Sequence, residues 1–271
     1  MKRFVLSLGT ILCIATIIFS CGSRQGSPKN GADSLSFDSI KADSTVYLGE
    51  DTASPQCHVS LTITYAKGKN ADQINDSIIR SGILSPDYFS LTTNKITVRQ
   101  AVDSFVTRYL SEYKKDYGDM YKADKSHGAS YNCEYIVKTK VLDESDKYYA
   151  YIADVYMYGG GAHGSTLVIA KNIDAKTGKI VALKDVFVPG YEKELNDLIV
   201  KSLCEKYNAK DIKGLNEQTI FMGIDVYAPE NFIIGNDEIT FIYSPDEIAC
   251  HASGEIRVVL KNSDLEHILR K

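Results

Sequence analysis

The stretch CHVSLTITY, residues 57–65, alternates strictly between apolar and polar side chains. Val59, Leu61 and Ile63 share one face, and serine, threonine and histidine occupy the other. A period of two residues is typical of a strand that buries one face and exposes the other. We therefore predict a half-buried strand here, with a hydrophobic core on the side of Val59.

A second strand with the same period is predicted at residues 131–141. Its apolar face is formed by Tyr131, Cys133, Tyr135, Val137 and Val141. Cys57 and Cys133 both lie on the apolar faces of their strands, so we predict a disulfide between them. Cys204 and Cys250 are the other two cysteines of this region, and four cysteines allow three pairings. Free cysteines are the alternative, because a thiol is commonly buried as a small apolar group.

Apolar residues three or four positions apart predict helices on both sides of this second strand. Asn70 and Gln73 are expected to cap a short helix, and Thr97 with Gln100 forms a capping box before a longer one. The clearest amphipathic helix is predicted over residues 191–207, just after a Pro-Gly pair. Each of these helices needs a sheet to cover.

The remaining apolar segments predict further strands. Residues 148–158 are apolar or aromatic on both faces, as a central strand requires, and the turn DAKTGK at 174–179 predicts a hairpin. Ser263 and Glu266 are expected to cap a closing helix. Three short strands are predicted at Phe232–Ile234, Ile239–Tyr243 and Ile256–Leu260. Because strands and helices are segregated, we predict an α+β fold of mainly antiparallel sheets covered by amphipathic helices.

The chain begins with Lys2 and Arg3, followed by an apolar run over residues 4–19 and then Cys21. This arrangement is typical of a signal peptide, and the run is too short to cross a bilayer as a helix. The residues before Cys21 resemble the lipobox of bacterial lipoproteins. We therefore predict a signal peptide over residues 1–20 and lipidation of Cys21, which would anchor the protein outside the cytoplasm, in the periplasm or at the cell surface. An uncleaved amino-terminal anchor is the alternative.

Residues 21–55 are rich in serine, aspartate, glycine and threonine, and we predict a disordered tether there. The folded part is therefore expected to begin near residue 56. Removing Lys2 and Arg3 with the signal peptide leaves 29 of the 31 basic side chains against 35 acidic ones, a formal charge of −6. Nucleic acid is therefore not expected as a partner, whereas a basic protein is favoured.

Gly159, Gly161 and Gly164 match the dinucleotide-binding pattern G-x-G-x-x-G. That pattern requires a helix whose N-terminus binds the pyrophosphate, but residues 165–173 are typical of a strand. We therefore reject nucleotide binding and assign the glycines to a tight turn between two strands. His163 within this turn is expected to be structural or to contact a ligand.

The sequence gives no pattern typical of a reaction centre. It contains no H-E-x-x-H zinc motif, no G-x-S-x-G nucleophile turn and no Walker loop. Asp154, the one charged residue of its strand, is either a buried acid with a raised pKa or a side chain that bonds to backbone or faces solvent. We expect no catalytic residue, no metal ion and no cofactor. An uncharacterised hydrolase acting through His163 and Asp154 is the least favoured alternative.

Four patterns in the second half of the chain occur together. They are the turn GGAHG at 160–164, N-x-D-x-x-T-G from Asn172, L-x-D-x-F from Leu183 and Y-x-P-x-E-I-A-x-x-x-x-G from Tyr243. In combination they resemble the extracellular module of lysozyme-sensing anti-sigma factors of the RsiV type, a module that also occurs beside peptidoglycan deacetylase domains. The sequence departs from the family at Cys250 and His251, where Pro and Tyr are common.

The resemblance implies an N-terminal module over residues 56–158 and a C-terminal module over residues 159–271. It also implies a sensing or binding part alone, without a sigma-binding segment or a deacetylase domain. It favours a non-enzymatic envelope lipoprotein that binds an extracytoplasmic partner, such as lysozyme or another muramidase, through loops at 159–164 and 246–254. A peptidoglycan-binding or glycan-binding module is the alternative, since residues 148–158 contain five tyrosines. The candidate ligand contacts are Gly160, Gly161, His163, Gly164, Glu247, Cys250 and His251.

Overall fold

The computed structural model describes residues 35–142 and 145–270. They belong to one compact unit that begins at Leu35. The predicted signal peptide, the predicted lipidation site Cys21 and the predicted tether up to residue 34 lie outside the described residues. Within the described ranges, no helix is both long enough and apolar enough to cross a bilayer.

Six strands form the larger sheet and follow one another across it in chain order. Neighbouring strands pair antiparallel, except β2 and β3, which are parallel. Two helices lie between β2 and β3 in the chain, and such a crossover is what parallel neighbours require. The elements are β1 (Ser36–Tyr47), β2 (Gln56–Lys67), α1 (Ala71–Ile79), α2 (Val98–Ala123), β3 (Cys133–Leu142), β4 (Tyr148–Tyr158), β5 (Ser165–Asp174) and β6 (Ile180–Val181).

β1 shows that the predicted disordered tether over residues 21–55 is wrong for the part that the structure describes. The strand pairs with β2 along its whole length, from Ser36 opposite Lys67 to Tyr47 opposite Gln56. Its composition is polar because it is an edge strand, and most of its side chains are exposed or half-buried. Backbone hydrogen bonds to β2 order this segment without a large apolar contribution of its own.

β2 is the half-buried strand that its alternation predicted. Val59, Leu61 and Ile63 are at most 2% exposed, and α1 and α2 cover this face. The Phe105 ring of α2 is fully buried, with its centroid 5.4 Å from that of Tyr135 on β3. Full burial of a large apolar side chain contributes roughly 1.5–3 kcal/mol. This core fixes β3, and β3 pairs with β4. The candidate loop 159–164 directly follows β4.

The two predicted helix caps have different outcomes. At α2, Thr97 Oγ1 accepts from Gln100 N at 3.2 Å and Gln100 Oε1 accepts from Thr97 N at 3.0 Å, which confirms the capping box. At α1, Asn70 occupies the N-cap position with φ 61°, but its side chain makes no cap hydrogen bond. The side-chain cap predicted from Asn70 is wrong because the backbone of this residue is left-handed, whereas a capping residue is extended. Its Nδ2 donates to Lys176 O, in the turn between β5 and β6.

The rest of the chain builds a second layer with a three-stranded antiparallel sheet. Leu195, Ile199 and Leu203 of the predicted amphipathic helix are fully buried against it. The closing helix begins at Asn262, one residue before the predicted Ser263 cap, because β9 runs directly into it. The elements are α3 (Leu183–Val186), α4 (Glu192–Tyr207), α5 (Ile212–Glu217), β7 (Phe232–Ile234), β8 (Glu238–Tyr243), β9 (Ile256–Lys261) and α6 (Asn262–Leu265).

Two asparagine side chains join the sheets. Asn172 of β5, 1% exposed, donates through Nδ2 to Phe232 O at 2.8 Å and accepts from Ile234 N at 2.9 Å. Asn231, just before β7, donates to Val168 O of β5 at 2.7 Å. Side-chain amides therefore satisfy backbone groups where the two sheets meet. Asn172, part of the hairpin pattern quoted above, has a structural role.

The predicted module boundary after Tyr158 falls between two paired strands of one sheet. β4 and β5 pair along ten residues, from Tyr148 opposite Asp174 to Met157 opposite Ser165. A separate apolar cluster lies where the sheets meet, formed by Ala150, Ile152, Ala170, Ile233 and Ile242. The predicted α+β class, with mainly antiparallel sheets and amphipathic helices, is confirmed.

Candidate functional site

Three irregular segments meet on the surface, and we call them the three-loop surface. They are the glycine loop (159–164) between β4 and β5, the apolar segment (219–227) after α5, and the β8–β9 loop (244–254). The rings of His163 and His251 stack, which joins the glycine loop to the β8–β9 loop. Phe221 N donates to Ile248 O at 2.7 Å, which joins the apolar segment to the β8–β9 loop. The two loops proposed from the sequence are therefore adjacent.

The glycine loop needs its small residues because backbone and rings pack tightly around it. Gly160 has φ 80°, and a Cβ there would lie 1.9 Å from Ser130 O. A Cβ at Gly164 would lie 2.4 Å from the Tyr156 ring. Tyr158 Oη donates to Gly161 O at 2.9 Å and closes the loop. Since β5 follows directly, no helix N-terminus is present to bind a pyrophosphate, as the sequence predicted.

The β8–β9 loop is held from within by Glu247. Its Oε2 accepts from Ser244 N at 2.7 Å and its Oε1 accepts from Tyr227 Oη at 2.7 Å. Burial and the Glu247 carboxylate both raise the pKa of Tyr227, so the phenol stays protonated and donates. Tyr243, fully buried at the end of β8, donates to Tyr227 O at 2.6 Å. Glu247 therefore positions the loop, and both of its oxygens have partners inside the protein.

The histidine pair lies at the centre of the surface. The ring centroids of His163 and His251 are 5.1 Å apart, with 29° between the ring planes. His251 Nδ1 lies 2.7 Å from Asp246 Oδ2, and about half of each of these two side chains is exposed. His163 Nδ1 lies 3.3 Å from Gly164 O. No spacing in the sequence indicated that the two rings would touch.

Cys250 is exposed and belongs to the same surface. Its Sγ lies 3.6 Å from Ser253 Oγ. Hydrogen bonds from Ser253 and from the Thr219 side chain lower the pKa of Cys250, because they favour the thiolate. The thiol thereby connects the β8–β9 loop to the apolar segment.

Backbone strain is concentrated here. Five non-glycine residues of the described chain have positive φ, and Thr219, Phe221 and Asp246 belong to this surface. A β-branched or bulky residue in the left-handed region is a genuine outlier, which persists only where surrounding contacts impose it. Strain of this kind clusters at ligand-contacting segments.

The apolar segment was not predicted as part of the site. Met222, Ile224 and Tyr227 are exposed by 64%, 46% and 38%. These residues follow neither a helical nor a strand period, so pattern analysis gave them no role. The only sequence signal was a set of large apolar residues around Gly223, with Asp225 among them. Exposed apolar side chains next to polar loops are typical of interaction surfaces.

The chemical groups of this surface are those of a contact surface. In the ranges that the structure describes, no three His, Cys, Asp or Glu side chains are placed to hold a metal ion. Asp154 is 53% exposed and lies 3.8 Å from Lys140 Nζ, so the alternative of a buried acid is wrong. Imidazole, carboxylate, phenol and apolar groups are instead presented side by side, as in protein interfaces.

Comparisons with known proteins give similar solved structures and a family match over part of the chain. Residues 184–263 match the family described as "Protein of unknown function (DUF3298)". A crystal structure of a DUF3298 family member from Bacteroides fragilis is similar at 25% identity, with a TM-score of 0.77, covering 89% of this chain and 96% of that chain. A DUF3298 family protein from Pseudomonas aeruginosa is 16% identical, with a TM-score of 0.59, covering 88% and 96%. Among curated proteins, none matches the chain.

Residues 184–263 are therefore similar to the DUF3298 family. The matched residues include the apolar segment and the β8–β9 loop, whereas the glycine loop precedes them. The three-loop surface thus combines two segments of the matched region with one loop from the larger sheet.

Proposed function

We propose that this chain is a non-enzymatic, lipid-anchored protein of the bacterial cell envelope that binds a basic extracytoplasmic protein, a lysozyme or another muramidase, on the three-loop surface. The observation that carries the proposal is the contact between His163 and His251, which makes one exposed surface of two loops. The resemblance of these loops to the RsiV-type module supports the class of partner. The leader before Cys21 supports the location.

The strained backbone supports recognition as the role of these loops. A β-branched or bulky residue in the left-handed region costs roughly 1–2 kcal/mol, and such strain clusters at ligand-contacting segments. Thr219 and Phe221 are such residues, and Asp246 in the β8–β9 loop also has positive φ, 67°. The hydrogen bonds of Glu247 hold the loop in this shape before any partner arrives. A preorganised loop loses less conformational entropy on binding.

Charge and apolar exposure support a basic protein as the partner. Asp225 and Asp246 are exposed beside Met222 and Ile224. The chain carries a net charge of −4, so its field attracts a cationic protein, and this attraction weakens as salt increases. Exposed methionine and aromatic side chains are suited to fill pockets of a partner.

The direct test is titration calorimetry of the full chain with lysozyme at about 50 mM and about 200 mM salt. We expect saturable binding that is weaker at the higher salt concentration. A cell-wall hydrolysis assay with the same two proteins should show slower turnover by lysozyme as the chain is added. Absence of binding at both salt concentrations would contradict the proposal.

Charge reversal locates the surface. Asp225→Lys is expected to weaken binding by about tenfold, because it places a like charge against a basic partner. Asp72→Lys is the matched control, because Asp72 is exposed on α1. α1 packs beside the turn at Gly178, and this turn and the glycine loop lie at opposite ends of the β4–β5 pair. Equal weakening by both variants would indicate a general charge effect and would count against this surface.

A second candidate is glycan binding, favoured by a tyrosine cluster beside the glycine loop. Tyr117 is 39% exposed, and its ring centroid lies 5.7 Å from that of Tyr131. Tyr131 follows Ser130, whose carbonyl packs against Gly160. Tyrosine rings combine an apolar face with a polar hydroxyl and suit sugar surfaces. The test is co-sedimentation of the chain with purified sacculi. Co-sedimentation that is reduced by Tyr117→Ala and unchanged by Asp225→Lys would favour glycan binding over lysozyme binding.

A further inference from the structure

A pair of thiols lies inside the larger sheet, away from the three-loop surface. Cys57 on β2 and Cys133 on β3 are direct partners in the parallel register. Neighbouring strands lie about 4.8 Å apart, within the Cα separation of roughly 4.4–6.8 Å that a disulfide spans. Cys57 is fully buried and Cys133 is half-buried, and both are free thiols in the structure.

The two thiols also differ in acidity, which distinguishes the thiol that reacts first. A hydrogen bond between them lowers the pKa of Cys133 and raises the pKa of Cys57, which burial raises further. Tyr109 Oη lies 3.7 Å from Cys133 Sγ and adds a second hydrogen bond that favours its thiolate. The more exposed sulfur is therefore the better nucleophile at neutral pH.

The other two cysteines of the described chain lie in different surroundings. Cys204 is on α4 and Cys250 is in the β8–β9 loop. Both belong to the layer of the smaller sheet, whereas Cys57 and Cys133 pack in the core of the larger one. Of the three pairings that four cysteines allow, the register of β2 and β3 therefore favours the one that joins Cys57 to Cys133.

We propose that Cys57 and Cys133 form an intramolecular disulfide that fastens β2 to β3. With a small-molecule disulfide such as oxidised glutathione as the oxidant, the Cys133 thiolate attacks one sulfur and releases one glutathione thiolate. The Cys57 thiolate then attacks the mixed disulfide and releases the second. Two cysteine thiols are oxidised to one disulfide, and two glutathione thiols form and take up the two protons.

The link has a structural consequence for the nearby loop. Cys133 directly follows residues 128–132, and Ser130 in this segment packs against Gly160. Asn132 Oδ1 accepts from Gln56 N at 3.1 Å, so the same segment already bonds to the start of β2. A disulfide at Cys133 would hold residues 128–132 in place, and the glycine loop packs against this segment at Ser130.

Peptide mapping of the wild-type chain tests the proposal without a variant. The full chain is incubated with oxidised glutathione, alkylated, digested with trypsin without reduction and analysed by mass spectrometry. Cleavage after lysine gives residues 42–67 and residues 126–138 as the peptides with Cys57 and Cys133. We expect these two peptides linked to each other, and separated once a reductant is added. Recovery of both as alkylated or glutathionylated single peptides, or linked to Cys204 or Cys250, would overturn the proposal.

Thermal unfolding gives an independent measurement. The oxidised chain is expected to melt roughly 5–10 °C above the reduced chain, because the link restrains the unfolded state. Cys133→Ala should abolish this difference, while Cys250→Ser should preserve it. A melting difference that disappears in Cys250→Ser would assign the effect to another pair and contradict the proposal; if Cys133→Ala does not fold, peptide mapping decides alone.

Discussion

Two pairs of side chains meet across distant parts of the chain, and they are held in opposite ways. Cys57 and Cys133 meet inside a sheet, where the register of two strands and a packed aromatic core fix them. His163 and His251 meet at the surface, where two loops with glycines and strained backbone bring them together. The first pair is placed to stabilise the sheet. The second pair exposes its side chains to solvent, as the recognition surface that we propose requires.

The largest expected effect comes from removing an aromatic ring beside the cysteine pair. Tyr135 is fully buried, its ring centroid lies 5.1 Å from that of Tyr109, and its Oη accepts from Ser85 N at 2.7 Å. Tyr135→Ala should lower the free energy of unfolding by about 3–5 kcal/mol in urea denaturation. His251→Ala, in the exposed pair, should change it by no more than about 0.5 kcal/mol. Similar losses in the two variants would remove the distinction between the regions.

Gly160 belongs to the glycine loop and packs against Ser130, close to Cys133. Its substitution should cause a loss of stability between those of the two variants above. Gly160→Ala adds a Cβ against Ser130 O at a residue with φ 80°, and we expect a loss of about 1–3 kcal/mol in stability together with weaker lysozyme binding. Gly159→Ala is the matched control, since a Cβ there meets no atom within 4 Å. Denaturation and calorimetry on the two variants measure both effects. A tolerated Gly160→Ala would mean that the loop is not held against Ser130.

Strain at Asp246 should separate stability from binding. Asp246→Gly relieves φ 67° and is expected to keep or raise the free energy of unfolding, by up to about 1 kcal/mol, while weakening binding because the carboxylate beside His251 is lost. Asp225→Gly, at a residue without positive φ, should give no such gain. If Asp246→Gly lowers stability by several kcal/mol, the carboxylate contact supports the fold and the strain argument is wrong.

The smallest effect is the coupling within the histidine pair. A double-mutant cycle of His163→Ala and His251→Ala should give a coupling free energy below about 1 kcal/mol in the free protein, because both rings are partly solvated. The same cycle measured on binding should give a larger value if the rings form one contact surface. Additive effects on binding would show that the loops act separately.

Elements set by local sequence could be predicted, and those set by tertiary contacts could not. The alternation of β2 and the capping box of α2 gave both elements correctly, because strand parity and a cap are properties of adjacent residues. β1 was missed because it has few large apolar side chains and is ordered mainly by pairing with β2. Asn70 was misassigned for a related reason, since its partner lies in a distant turn.

The site divides in the same way. Cys57 and Cys133 were predicted to pair because each lies on the apolar face of its strand. The register of β2 and β3 places the two residues opposite each other. The glycine loop and the β8–β9 loop were singled out by resemblance, but their contact depends on how the two sheets join at Asn172 and Asn231. The apolar segment gave no period, because the buried Ile220 and Phe221 are followed directly by the exposed Met222 and Ile224.

Hydrogen exchange of the full chain, with and without saturating lysozyme, tests most directly whether the three-loop surface is the binding site. We predict slower exchange of backbone amides in 159–164, 219–227 and 246–254, with unchanged exchange in α1 at the opposite end of the sheet. Unchanged exchange in all three segments while lysozyme is bound, or protection confined to other parts of the chain, would contradict the account.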